Sequence, residues 1–151
     1  MALNEQLIQD LQEAMRSRDT LRTSVLRFLR AGLHNEEIAR GRALSDQEAL
    51  DVVARQAQQR QESIEQFRRG NRPDLVAQEE AELAILKEYL PPQLTHQELE
   101  ELARQAIREV DAWGPADKGR VMGRLMPQVR GRADGAAVSQ LVTELLSQRG
   151  D

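Results

Sequence analysis

The chain has 151 residues, a formal net charge of −4, 30% charged residues and only 3% aromatics. The absence of cysteine excludes disulfides, thiolate metal sites and thiol nucleophiles, and the acidic balance argues against nucleic-acid binding by bulk charge while leaving room for a local basic patch. The opening "MALNEQLIQDLQ" has no basic segment ahead of an apolar stretch, and no apolar run approaches the ~18 residues that span a bilayer, so a soluble cytoplasmic protein is expected.

Long stretches of Ala, Leu, Glu, Gln and Arg favour helix, because these side chains lose little rotamer freedom there. No run of β-branched residues alternates with polar ones, so the expected fold class is all-α. Leu3, Leu7, Leu11 and Ala14 or Met15 predict a first helix over about 2–17. After the break at "SRDT", Leu21, Val25, Phe28, Leu29 and Leu33 form the stripe of a second helix, about 21–40, stopped by Gly41 as a left-handed cap. "SDQE" at Ser45–Glu48 is a capping box that opens a third helix to about Arg69, with a weaker stripe through Val53, Ala57, Ile64 and Phe67. Gly70 and the turn "NRPD" lead into a fourth helix from about Asp74, half-buried along Leu75, Glu79, Glu82, Leu83 and Leu86.

The prolines of "LPPQ" forbid helix and mark the domain boundary. "THQE" at Thr95–Glu98 reads as a second capping box, for a helix to about Trp113. Two shorter helices follow, about 117–130 and 134–148; the last carries Val138, Leu141, Val142, Leu145 and Leu146 on one face. The organisation expected is an N-terminal domain of about four helices over 1–92 and a C-terminal three-helix domain over 93–151.

Signals of chemistry are sparse. His34 and His96 each lack a second histidine four residues away, so both read as helix-surface histidines. The sequence has no nucleophile elbow, no P-loop and no dinucleotide fingerprint. The acids Glu36, Glu37, Glu79, Glu80 and Glu82 read as solvated helix faces, since successive helical residues point about 100° apart and do not converge. No catalytic residue, metal site or cofactor is expected. Arg22, Arg27 and Arg30, and the set Arg55, Arg60, Arg68, Arg69 and Arg72, read as ion-paired helix surface or as a face for an anionic partner.

The segment "KGRVMGRLMPQVRGRADG" is the sharpest feature. It holds five cations and no acid between Lys118 and Arg132. On a helix, Met122, Leu125, Met126 and Val129 form a core stripe, with Arg120 and Arg124 opposite. Gly119 and Gly123 lie on the flank, where missing side chains allow close packing by a neighbouring helix or close approach by an RNA backbone. Pro127 should kink or interrupt the helix near Gly123. "RGRAD" reads as a stop and restart, with Gly131 as C-cap and Asp134 as the next N-cap. Arg130 and Arg132 beside that helix N-terminus make either a capped turn with solvated arginines or a phosphate contact.

Together with "LRTSVLRFLRAGLHNEEI", "RQESIEQFRRGNRPDL" and "EEAELAILKEYLPPQL", this segment resembles the GatB/YqeY family along nearly the whole chain. The tail-domain pattern of that family is met by Lys118, Gly119, Met122, Gly123, Met126, Gly131 and Ala133, then Val138 and Leu141. The resemblance implies a two-part all-helical fold and a tRNA-binding accessory module, through Lys118, Arg120, Arg124, Arg130 and Arg132. It also implies an association with carbon–nitrogen ligase activity that uses glutamine as amido donor. Residues matching the ATP-using cradle or the Ser-Ser-Lys glutaminase of the tRNA amidotransferase are absent, so the label is an association. The partners implied are tRNA, the amidotransferase or an aminoacyl-tRNA synthetase, with no membrane. The competing expectation is a protein-interaction or regulatory module with no direct RNA contact.

Overall fold

Apolar residues three and four apart line one side of a helix, and that side must be covered by another helix. The computed structural model describes residues 2–149. Among them the chain is all-helical, with no strand: α1 (Ala2–Arg16), α2 (Thr20–Arg40), α3 (Asp46–Arg69), α4 (Pro73–Lys87), α5 (His96–Glu109), α6 (Lys118–Val129) and α7 (Gly135–Arg149), plus a 3-10 turn at Pro115–Asp117. Two compact units divide it, Met1–Leu90 and Pro91–Asp151.

In the first unit, Leu7 and Leu11 of α1 pack with Val25, Leu26, Leu29 and Leu33 of α2, Val52 and Val53 of α3, and Leu86 of α4. Of the two residues offered for the end of the α1 stripe, Ala14 takes the inward position and Met15 is exposed; the α2 stripe differs from expectation at Phe28, which is 54% exposed where Leu26 is fully buried. Phe28 lies instead under the Arg60 guanidinium, 5.4 Å from its ring centroid. Caps set the helix ends. Gly41 adopts φ +71, and its N–H donates to the Glu37 and Ile38 carbonyls. The Ser45–Glu48 capping box forms in both directions. At the end of α3 the left-handed residue is Asn71, φ +54, while Gly70 stays at φ −81.

Polar groups are organised between helices. Gln56 of α3 lies over Gly32 of α2, where an added Cβ would collide with its amide, and that amide donates to the Phe28 carbonyl at 3.3 Å. The Tyr89 hydroxyl donates to Asp10 at 2.6 Å, and Arg22 forks onto both Glu88 oxygens. The acids of α4 correct the expectation of solvated faces. Glu82 is buried, and Glu79 and Glu82, three residues apart and therefore on one face, both turn to Arg60 of α3. Glu82 Oε2 stands 3.0 Å from Arg60 Nη1 yet lacks an aligned hydrogen bond, so charge holds that contact. Arg55, Arg68, Arg69 and Arg72 also pair with acids, which makes this an ion-paired surface.

In the second unit, α5, α6 and α7 enclose a separate aliphatic core around Ala103, Ile107, Val121, Leu125, Val138 and Leu146. All five apolar residues expected on one face of the last helix are buried. Thr95 accepts from the Glu98 N–H at 3.1 Å, which supplies the serine-threonine half of the expected capping box. Helix α5 stops at Glu109, short of the expected Trp113. Asp111 turns left-handed at φ +53, a conformation that a short polar side chain tolerates, and the Ala112 N–H closes back on the Ile107 carbonyl.

Candidate nucleic-acid interface

Helix α6 owes its orientation to Val121, Leu125 and Val129, four residues apart and all fully buried. Val121 was not in the expected stripe, and Met122 and Met126 are only half-buried. The helix is therefore rotated from the expected placement, and Gly119, Gly123 and Pro127 make up its outward strip. This corrects the assignment of Gly119 and Gly123 as close-packing glycines. A Cβ built on either would meet nothing within 4 Å. Only a stripe facing another helix needs small residues for packing, and this one faces open space. Gly131, expected both as a C-cap and as a close-packing glycine, is buried with φ +77 and serves the left-handed turn after α6. Pro127 does not interrupt the helix near Gly123. It lies in the last turn, and α6 continues through it to Val129.

The five candidate cations separate by position. Arg120 and Arg124, one turn apart, border the glycine strip on the side of α5. Arg120 donates to the Val110 carbonyl at 2.7 Å and to Asp117 at 2.9 Å, so it caps the C-terminal end of α5. Arg124 donates to Glu109 at 2.5 Å. Lys118 does not join them. It projects toward α7, is half-buried, and donates to the Ser139 hydroxyl at 2.8 Å. Arg130 and Arg132 lie on the turn between α6 and α7. That turn is pinned by the segment ahead of α5: the Gln93 amide donates to the Gly131 carbonyl and the Leu94 N–H to the Arg132 carbonyl. At the start of α7 the Asp134 carboxylate accepts from the Ala136 N–H at 3.3 Å. A carboxylate already occupies that helix N-terminus, which weakens it as a phosphate site.

Asp117, which no motif or spacing singles out, is the hub of this corner. Its Oδ2 accepts from the N–H groups of Trp113 and Gly114, and its Oδ1 from Arg120. The Trp113 N–H, then Arg120, hold the carboxyl down to about 2. A depressed folded-state value contributes stability above the ordinary aspartate value of 3.8, and that contribution is lost as pH falls through about 2. Asp117→Asn is therefore expected to lower the stability of the C-terminal unit at neutral pH and to flatten its acid limb between about pH 4 and 2. Urea midpoints measured across that range check it; parallel pH profiles for both proteins would refute it.

Elsewhere, His34 and His96 are exposed. Among the described residues no group of three or more His, Asp or Glu is placed to hold a metal ion. An open cleft of about 580 Å³ in the first unit is lined by Asp10, Glu13, Asp19, Arg22, Glu88 and Tyr89. Its chief polar groups are bonded to one another. Burial and the bond to Asp10 raise the Tyr89 hydroxyl above its usual range, so it donates a proton in that bond and is no base.

Residues 4–146 match the model of the family described as Yqey-like protein. The chain belongs to the YqeY-like family. Among curated proteins it is similar to "Altered inheritance of mitochondria protein 41, mitochondrial" of Pyrenophora tritici-repentis, 31% identical over 143 residues, which covers 93% of this chain and 78% of that one. The protein of the same name in Lachancea thermotolerans is 42% identical over 85 residues, 56% of this chain and 46% of its own length. The Saccharomyces cerevisiae protein is 33% identical over 82 residues, 54% and 44%. These two matches span less than half of the relatives they meet. The names correct the expectation of a cytoplasmic protein, because these YqeY-like relatives are designated mitochondrial. Among the described residues no helix is long and apolar enough to cross a membrane.

Proposed function

We propose that this chain is a tRNA-binding accessory module whose contact surface is the outward face of α6, with Arg120 and Arg124 as its phosphate ligands. The observation that carries the reading is the pairing of these two arginines with a bare strip of helix at Gly119, Gly123 and Pro127. Exposed helical glycine costs about 0.5–1 kcal/mol relative to alanine, and no packing among the described residues offsets that cost here. A phosphate backbone brought against such a strip comes within reach of both guanidinium groups. Each guanidinium has five N–H donors, so the bonds to Val110, Asp117 and Glu109 orient it and leave donors over. The resemblance of this segment to the amidotransferase tail supports the same surface. It relates the chain to glutamine-dependent tRNA amidation as an adaptor, with the carbon–nitrogen ligase chemistry supplied by a partner. Arg130 and Arg132 stand apart on the turn that follows the helix, and Lys118 serves the α6–α7 packing.

The test is tRNA binding across a salt series, starting with mitochondrial tRNAs because the named relatives carry that designation. Log affinity should fall with log salt at about −0.7 to −0.9 per phosphate neutralised. Arg120→Glu with Arg124→Glu should flatten the slope by about 1.5 and weaken binding to every tRNA alike. A slope near zero, or unchanged binding by a folded double variant, sinks the reading. It would leave the protein-interaction module, for which capture of an amidotransferase or an aminoacyl-tRNA synthetase is the assay.

A further inference from the structure

The corner beside Arg120 carries a second recognition element. Trp113 is 64% exposed, in a chain with only one tryptophan and two phenylalanines. A single exposed apolar side chain is ordinary by itself. The way its backbone is held is less ordinary. Asp117 binds the Trp113 N–H through Oδ2 and the Arg120 guanidinium through Oδ1, both at 2.9 Å. Arg120 in turn holds the Val110 carbonyl at 2.7 Å, three residues before Trp113. One carboxylate thus ties an aromatic residue and a cation into a fixed register, in a turn bounded by the left-handed Asp111 and by Gly114–Pro115.

A cation held in register with an exposed aromatic residue is an arrangement that single-stranded nucleic acid uses. The backbone lies along the charge and an unpaired base stacks on the ring. We propose that Trp113 is a stacking platform for an unpaired base of the bound RNA. This rests on the tRNA reading above and adds to it the class of RNA structure recognised, a loop or a strand end instead of a continuous duplex. Neither the glycine strip nor Arg124 requires an unpaired base, so the two ideas separate experimentally.

Because Trp113 is the only tryptophan, its emission reports on this position alone. Titration of the full chain with tRNA should quench that emission, while a blunt RNA duplex should leave it unchanged. Trp113→Ala should weaken tRNA binding about tenfold, and Trp113→Phe should restore most of it. Far-UV circular dichroism of both variants should match the parent, since the ring is mostly exposed. If tRNA binds, depends on Arg120 and Arg124, and leaves emission and the alanine variant unaffected, the platform is refuted while the tRNA reading stands. If no RNA binds, both fall. An emission change that follows protein concentration without RNA, matched by sedimentation as a larger species, would overturn the platform in favour of contact between copies of the chain.

Discussion

Arg60→Ala is expected to destabilise the N-terminal unit by about 3–5 kcal/mol, the cost of leaving buried charge without its partner. Nη1 of Arg60 lies 3.3 Å from Glu79 and 3.0 Å from Glu82, with side-chain exposures of 23%, 15% and 10% for the three residues. The guanidinium also covers the Phe28 ring. Its removal strands two carboxylates side by side between α3 and α4 and uncovers an aromatic ring. Replacing the whole cluster is a different operation. Arg60→Met with Glu79→Leu and Glu82→Leu removes the desolvation cost along with the attraction, and should be neutral or stabilising. Urea unfolding followed by circular dichroism measures both. A loss below about 1 kcal/mol for Arg60→Ala would mean that the cluster behaves as a screened surface pair.

Within α6, Leu125→Ala and Gly123→Ala should act in opposite directions. Leu125 is fully buried between α5 and α7, so truncation should cost about 3–5 kcal/mol through lost transfer energy and the cavity left behind. A unit of roughly 60 residues carries only a few kcal/mol in total, so this change is enough to unfold it. Gly123 lies two residues away, on the outward strip, and an alanine methyl there meets nothing. Gly123→Ala should stabilise the unit by about 0.5–1 kcal/mol, because the unfolded chain loses freedom and the helix loses no contact. Urea unfolding followed by the emission of Trp113 reads both. Destabilisation by Gly123→Ala would show that this face is packed in solution.

The opposite signs at positions 123 and 125 mark where the sequence stopped being informative. Its pattern located a helix from about 117 to 130 and placed Leu125 and Val129 inward. Spacing led to Met122, Leu125, Met126 and Val129 and passed over Val121, although Val121 also lies within a helical turn of Leu125 and competes with Met126 for the stripe. The choice between them rotates the helix, and it decides whether the glycines face a neighbour or face outward. The same limit applied to the cations. Five basic residues without an acid between them looked like one patch. In the folded unit Lys118 turns to α7, Arg120 and Arg124 turn to the end of α5, and Asp134 already occupies the helix N-terminus expected to attract an anion.

What the sequence determined by itself is local. The helices of the described residues, the left-handed stop at Gly41, the Ser45–Glu48 box and the buried face of α7 follow from interactions reaching only three or four residues along the chain. The family membership was legible for a related reason, since its motifs are short and occur in order along the chain. Tertiary structure alone decided the rest. Glu79 and Glu82 meeting Arg60, Gln56 lying over Gly32, and Asp117 joining Trp113 to Arg120 depend on the rotation and pairing of helices. Helix rotation is set by the summed burial of every face at once, and no spacing rule confined to one helix contains that sum.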